Sequence, residues 1–139
     1  MAKYAKYVLD SFALIGYLEN EQFAQKIEDL LYQAEKGTSH LYLHALHLGE
    51  VYYITLREQG QDVANLAYSR IKRFPITFVE TINEELLLTA ASLKANYPIS
   101  YADSFAAALA KVNNALLLTG DPEFQTLEED GILEINWLT

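Results

Sequence analysis

Short apolar runs alternate with longer helical patterns along almost the whole chain, and this alternation limits the possible folds more than any other feature. KYVLD (6–10) reads as a buried strand, and SFALIGYLEN (11–20) as a helix with Ser11 near its start. EQFAQKIEDLLYQAEKG (21–37) places Phe23, Ile27, Leu30, Leu31 and Ala34 at helical spacing, with Gly37 as its C-terminal stop. SHLYLH (39–44) is a short alternating strand. ALHLGEVYYITLREQG (45–60) and QDVANLAYSRIKRF (61–74) are helices, and PITFVE (75–80) is a strand. NEELLLTAASLKANY (83–97) is a helix stopped before Pro98, and SYADSFAAALAKVNN (100–114) is a helix starting near Ser100 or Asp103. ALLLT (115–119) and ILEINWL (132–138) are the last strands. Strands that alternate with helices predict an α/β fold with a mostly parallel central sheet of about five strands.

A chain of 139 residues suits a single domain spanning 1–139, and 51% hydrophobic residues suffice for a core. With no cysteine, disulfides and thiolate metal sites are excluded. Lys3 and Lys6 precede an apolar stretch, as in a secretory leader. Asp10 interrupts that stretch, and no small-residue cleavage motif follows. No run approaches the roughly 18 apolar residues of a membrane span. The expectation is a soluble cytoplasmic protein with no membrane partner.

The net charge is −9, from 19 acids against 10 bases, which argues against a generic polyanion binder. Its distribution is uneven. Residues 121 to 134 hold six acids and no Lys or Arg, whereas Arg70, Lys72 and Arg73 cluster at mid-chain with Arg57 upstream. Those four cations are candidate RNA-backbone contacts, although a solvated helix end explains them equally well.

Four acids sit where an apolar element begins, ends or is interrupted. Asp10 closes the first strand and Asp121 follows the strand at 115–119. In a parallel sheet both therefore lie at the carboxyl edge, where α/β folds bind ligands. Glu50 interrupts an apolar and aromatic helix, and Asp103 opens an alanine-rich one. Each has a plain reading on its own: a turn residue, a helix cap or a wet helix face. Together, four carboxylates without a counter-charge would repel strongly. A hard divalent cation, Mg²⁺ or Mn²⁺, resolves that repulsion through oxygen ligands and retained waters. The chemistry this predicts is phosphodiester hydrolysis.

YVLDSFALIGYL, LHLGEVYYITLRE, SYADSFAAALAK and LLLTGDPEF carry the four acids in order, and in this they resemble the PIN-domain family, most of all its VapC-type toxins of type II toxin–antitoxin pairs. The resemblance runs over nearly the whole chain. It implies a three-layer α/β/α fold and a metal-dependent endoribonuclease that commonly dimerises and is inhibited by a small antitoxin. Asp10, Glu50, Asp103 and Asp121 match the family's acidic metal-binding and catalytic set. Thr119 matches a position that supports the site by hydrogen bonding, and Ser11 stands beside the first acid. The expected mechanism has Asp10, Asp103 and Asp121 holding one or two Mg²⁺ or Mn²⁺ ions while Glu50 orients or deprotonates the attacking water. Cleavage would leave a 5′-phosphate and a 3′-hydroxyl. The chain departs from the commonest family pattern in its strong acidity and in placing His44 and His47 ahead of Glu50.

His44, His47 and Glu50 do not form an HExxH pattern, and their i, i+3, i+6 spacing drifts off one helix face, so packing explains the histidines better than zinc. Tyr17, Tyr52 and Tyr53 are candidates for base stacking, with core or interface packing as the plainer reading. A haloacid-dehalogenase-type phosphatase needs a DxD after its first strand, and here Ser11 and Phe12 follow Asp10. The remaining alternative is a PIN-fold binding module that is catalytically inactive or not a toxin.

Overall fold

The computed structural model describes residues 5–138, so Lys3 lies outside the described region. Five strands form one sheet: β1 (Ala5–Leu9), β2 (Ser39–His44), β3 (Thr77–Val79), β4 (Leu116–Thr119) and β5 (Ile135–Trp137). Their order is β3-β2-β1-β4-β5, and every neighbouring pair is parallel. Seven helices connect them among the described residues: α1 (Ser11–Leu18), α2 (Ala24–Glu35), α3 (Ala45–Gln59), α4 (Gln61–Lys72), α5 (Glu84–Asn96), α6 (Tyr101–Val112) and α7 (Gln125–Glu129). The result is the parallel α/β sheet expected from the alternation, in the three-layer α/β/α arrangement that the family resemblance implies.

Strand periodicity divides the core in two. Val8 and Leu117 join Leu86 and Leu93 of α5 and Phe105 of α6 on one face. Their neighbours Leu9 and Leu118 join Leu14 of α1, Ile27 of α2 and Val51 of α3 on the other. Successive strand side chains point to opposite faces, so a strand covered on both sides must be apolar throughout. LLL in β4 meets that demand. On α6, Ala106, Ala107, Ala108 and Ala110 are fully buried, and their small side chains let the helix lie close to the sheet.

Local chemistry sets the boundaries. Asp10 stands one residue past β1 and caps α1, its Oδ1 accepting the Ala13 amide at 2.9 Å. Gly37 takes φ +80° after α2, where its amide and that of Thr38 bond back to Ala34 O and Gln33 O. β3 is three residues rather than six, since Pro75 has no amide to give to a ladder. Residues 122–129, unassigned from the sequence, form a 3₁₀ turn (Pro122–Phe124) and α7. None of the helices is long and apolar enough to cross a membrane.

The topology fixes where chemistry belongs. From the central β1 the chain steps outward through β2 and β3, then returns to the other side of β1 for β4 and β5. The reversal of direction lies between β1 and β4, and the crevice beyond their carboxyl ends is the usual ligand site of such sheets.

Candidate active site

Asp10 and Asp121 reach this crevice by different routes. Leu9 pairs with Leu118, so Asp10 and Thr119 are the next residues along adjacent strands. Thr119 is fully buried, and its hydroxyl lies beside the Asp10 carboxylate and lowers its pKa. The same Oγ1 accepts the Asp121 amide at 3.1 Å. Asp121 in turn caps the 3₁₀ turn, its Oδ1 accepting the Glu123 amide at 3.0 Å.

The other two acids arrive on helices from opposite faces of the sheet. Ser100, rather than Asp103, caps α6. Its hydroxyl oxygen accepts the Asp103 amide at 3.1 Å, and the Asp103 carboxylate in the first turn lines the crevice. Glu50 lies on the second turn of α3, with the Ser11 hydroxyl beside it as a donor. A groove of about 570 Å³ brings together Ser11, Glu50, Ser100, Asp103 and Asp121. Asp10 lies beneath it, only 3% exposed.

The carboxylates perturb one another. Burial above all, with the Asp103 and Asp121 charges adding to it, pushes Asp10 up to about 7 against the opposing bonds from Thr119 and Ala13. Burial and then the Asp121 and Glu50 charges push Asp103 up to about 6. Glu50 is also raised, mainly by burial, and its Oε1 is buried without a hydrogen-bond partner. A buried carboxylate oxygen lacking any donor fits a cation-binding role.

Glu123 is an acid that the sequence reading passed over. Oxygens of Asp103, Asp121 and Glu123 lie within 4.8 Å of one another. Metal–oxygen distances of about 2.0–2.6 Å put opposed ligands about 4–5 Å apart, so one ion can touch all three. This all-oxygen donor set fits a hard divalent cation and has no soft ligand for a thiophilic metal. The available signal was a second acid two residues after Asp121, inside the short turn that Asp121 caps.

Other candidates lie elsewhere. Arg57, Arg70, Lys72 and Arg73 are exposed and do not line the acidic groove. Lys72 pairs with Glu80 at 3.8 Å and covers the Phe78 ring. Arg70 lines an adjoining groove of about 460 Å³ between α1, α3 and α4. Tyr52 binds Asn65 and Gln61 of α4, Tyr17 binds Glu28, and Tyr53 lies under Arg57, so all three have contacts within the fold.

The histidines are packed. His44 Nδ1 accepts the Leu46 amide at 3.1 Å, so Nε2–H donates to Thr81 O at 3.1 Å. Fully buried His47 donates from Nε2 to Ala102 O at 2.8 Å, tying the Glu50 helix to the turn that carries Asp103. Burial holds His47 down to about 4, so it stays neutral.

Comparison with known proteins agrees with this architecture. The family model of the PIN domain matches residues 7–130. No curated protein matches the sequence. Among solved structures, VapBC2 from Rickettsia felis, bound to a DNA fragment from its promoter, superposes with a TM-score of 0.76 at 12% identity, covering 96% of this chain and 99% of that one. A toxin–antitoxin complex from Klebsiella pneumoniae gives 0.60 at 16% identity over 85% and 89%. VapC20 from Mycobacterium tuberculosis, a toxin that cleaves the sarcin–ricin loop, gives 0.63 at 14% identity over 88% and 94%. At such identities the likeness is one of fold.

Proposed function

The chain belongs to the PIN domain family, and from that premise we propose that it is a divalent-metal-dependent endoribonuclease, the toxin of a type II toxin–antitoxin pair. The observation that carries this reading is the convergence of Asp10, Glu50, Asp103 and Asp121 at the β1/β4 switch point, with an unpartnered Glu50 oxygen among them. The toxin assignment draws on the toxins and toxin–antitoxin complexes that share the fold.

A bound Mg²⁺ or Mn²⁺ supplies charge neutralisation at the phosphate and a water of lowered pKa. Asp10, Asp103 and Asp121, joined by Glu123, are the residues to hold it. The Ala13 amide holds the Asp10 carboxylate, with the Thr119 hydroxyl beside it, and Ser100 caps the helix that carries Asp103. Ser11 lies beside Glu50, whose unpartnered Oε1 would accept the proton of the attacking water. Arg70 takes the RNA backbone where it leaves the crevice, and Arg57, Lys72 and Arg73 extend that basic face.

An antitoxin segment would occupy the α1/α3/α4 groove, which shares Ile15 and Glu19 with the acidic groove and exposes Val63 and Leu66. Helices α5 and α6 expose Leu87, Leu88 and Tyr101, apolar surface suited to a homodimer in the cytoplasm.

The test is cleavage of a mixed RNA pool with Mn²⁺, with Mg²⁺ and with EDTA, using wild type beside Asp10→Asn and Asp103→Asn. Metal-dependent cutting that both substitutions abolish is expected. Cutting that survives in EDTA or in either variant overturns the mechanism. Failure of the wild type to bind Mn²⁺ by calorimetry would favour the inactive binding module.

A further inference from the structure

The groove that holds the acids has an apolar side that the proposed chemistry leaves unused. Phe12 follows Asp10 by two residues, lines this groove and is 41% exposed. It does not swing freely. Phe23 lies beside it in a stacked arrangement, with centroids 5.6 Å apart and planes inclined by 20°. Two glycines make room for this pair. A Cβ at Gly16 would overlap the Phe23 ring. A Cβ at Gly120 would overlap the Phe12 ring and stand 2.7 Å from Leu138 O. The Phe12 ring is thereby seated against the chain between Thr119 and Asp121, at the edge of the crevice.

The charge of the groove adds a second constraint. Glu19 and Glu21 line it together with Glu50, Asp103 and Asp121, and among the described residues no Lys or Arg does. A polyanion held there gains nothing from cationic side chains and is repelled by the acids that the metal leaves unneutralised. Favourable contact with RNA inside the groove must therefore come from an uncharged part of the nucleotide. A braced, part-exposed aromatic ring offers this, because every base has a π-face and stacking does not depend on phosphate charge. Tyr17, Tyr52 and Tyr53 do not line the groove, and of the two rings that do, Phe12 is exposed and Phe23 half-buried.

We propose that Phe12 is a base-stacking platform that holds an unpaired nucleotide next to the scissile phosphate. This rests on the nuclease reading above. A base paired within a duplex cannot present its face to Phe12, so duplex RNA is a poor substrate. Stacking also carries little salt dependence compared with phosphate contacts.

The experiment uses the full chain and a fluorescein-labelled mixed-sequence oligoribonucleotide, single-stranded or annealed to its complement. Binding is read by anisotropy with Ca²⁺ in place of Mn²⁺, turnover with Mn²⁺, and Mn²⁺ affinity by calorimetry. Phe12→Ala and Phe12→Leu are expected to weaken single-strand binding and raise KM by about tenfold, the order of one lost base–aromatic stack. kcat and Mn²⁺ affinity should change little, and Phe12→Trp should keep wild-type KM. Equal KM for Phe12→Leu and wild type overturns the proposal, as does preference for the duplex. Loss of Mn²⁺ affinity in step with KM also overturns it, since Phe12 would then be positioning the acids. Unchanged RNA binding with lost binding of an antitoxin peptide would assign the ring to that partner instead. Phe12-dependent RNA binding without any metal-dependent cutting would uphold the platform and overturn the nuclease reading.

Discussion

Thr119 Oγ1 accepts the amide of Asp121 at 3.1 Å and lies beside the Asp10 carboxylate, whose pKa it lowers, so one buried side chain touches the acids delivered by two strands. Thr119→Val keeps the shape and takes the hydroxyl away from both acids. The expected result is a Mn²⁺ affinity lowered by about 10- to 100-fold, as for lost partners of metal-ligating carboxylates. Stability in EDTA should fall by only about 1–2 kcal/mol. Calorimetry and urea unfolding measure the two effects separately, and unchanged Mn²⁺ affinity would remove Thr119 from the site.

Asp10 makes the metal-free protein sensitive to alkali. Its folded pKa of about 7 stands above the ordinary 3.8, so the native state holds a proton that the unfolded chain has already released. The stability this contributes is complete below pH 3.8 and is lost as pH rises through 7, at about 1.4 kcal/mol for each unit of pKa difference. In EDTA, Asp10→Asn should therefore gain Tm over wild type as pH rises from 5 to 8. Added Mn²⁺ should stabilise the wild type at pH 8 and leave the variant unmoved.

His47 acts in the opposite direction. Its pKa of about 4 lies below the ordinary 6.5, so the unfolded chain takes up a proton first as pH falls. Its contribution is present above pH 6.5 and disappears as pH drops through 4, up to about 3 kcal/mol. The Tm difference between wild type and His47→Gln should narrow from pH 7 to pH 5. Glutamine can still donate to Ala102 O, so Mn²⁺ binding at pH 7.5 should hold better in His47→Gln than in His47→Leu.

Gly120 is constrained by space rather than by φ. An added Cβ would meet the Phe12 ring and the Leu138 carbonyl, and a backbone atom cannot yield as the end of a side chain does. Gly120→Ala should destabilise by about 1–3 kcal/mol, the usual cost of overpacking. Because the shift falls beside Asp121, metal affinity should drop as well. Gly49→Ala, where nothing lies within 4 Å of the added Cβ, is the control and should be neutral or stabilising.

Glu123→Gln should weaken Mn²⁺ binding by about tenfold with little change in Tm, because Glu123 is exposed and donates its amide, not its side chain, to the fold. Equal Mn²⁺ affinity in Glu123→Gln and wild type would confine the ligands to Asp10, Asp103 and Asp121.

The sequence by itself determined the alternation of strands and helices, because burial on two faces demands continuous apolar runs such as LLL in β4 and periodic ones in α2. It also marked Asp10, Glu50, Asp103 and Asp121 as four carboxylates placed where apolar elements begin, end or are interrupted, which together would repel without a counter-charge. What it left open are matters of distance between residues remote in the chain. Whether Asp103 or Ser100 caps α6 depends on one turn of backbone. The recruitment of Glu123 depends on a 3₁₀ turn whose acidic sequence has no hydrophobic period to reveal it. His47 donates to Ala102, 55 residues away, and Phe12 meets Gly120 only because β1 and β4 are neighbours. Only the packed sheet brings these pairs together, so tertiary structure decided which acids share a site, which histidine braces it and which aromatic ring faces its opening.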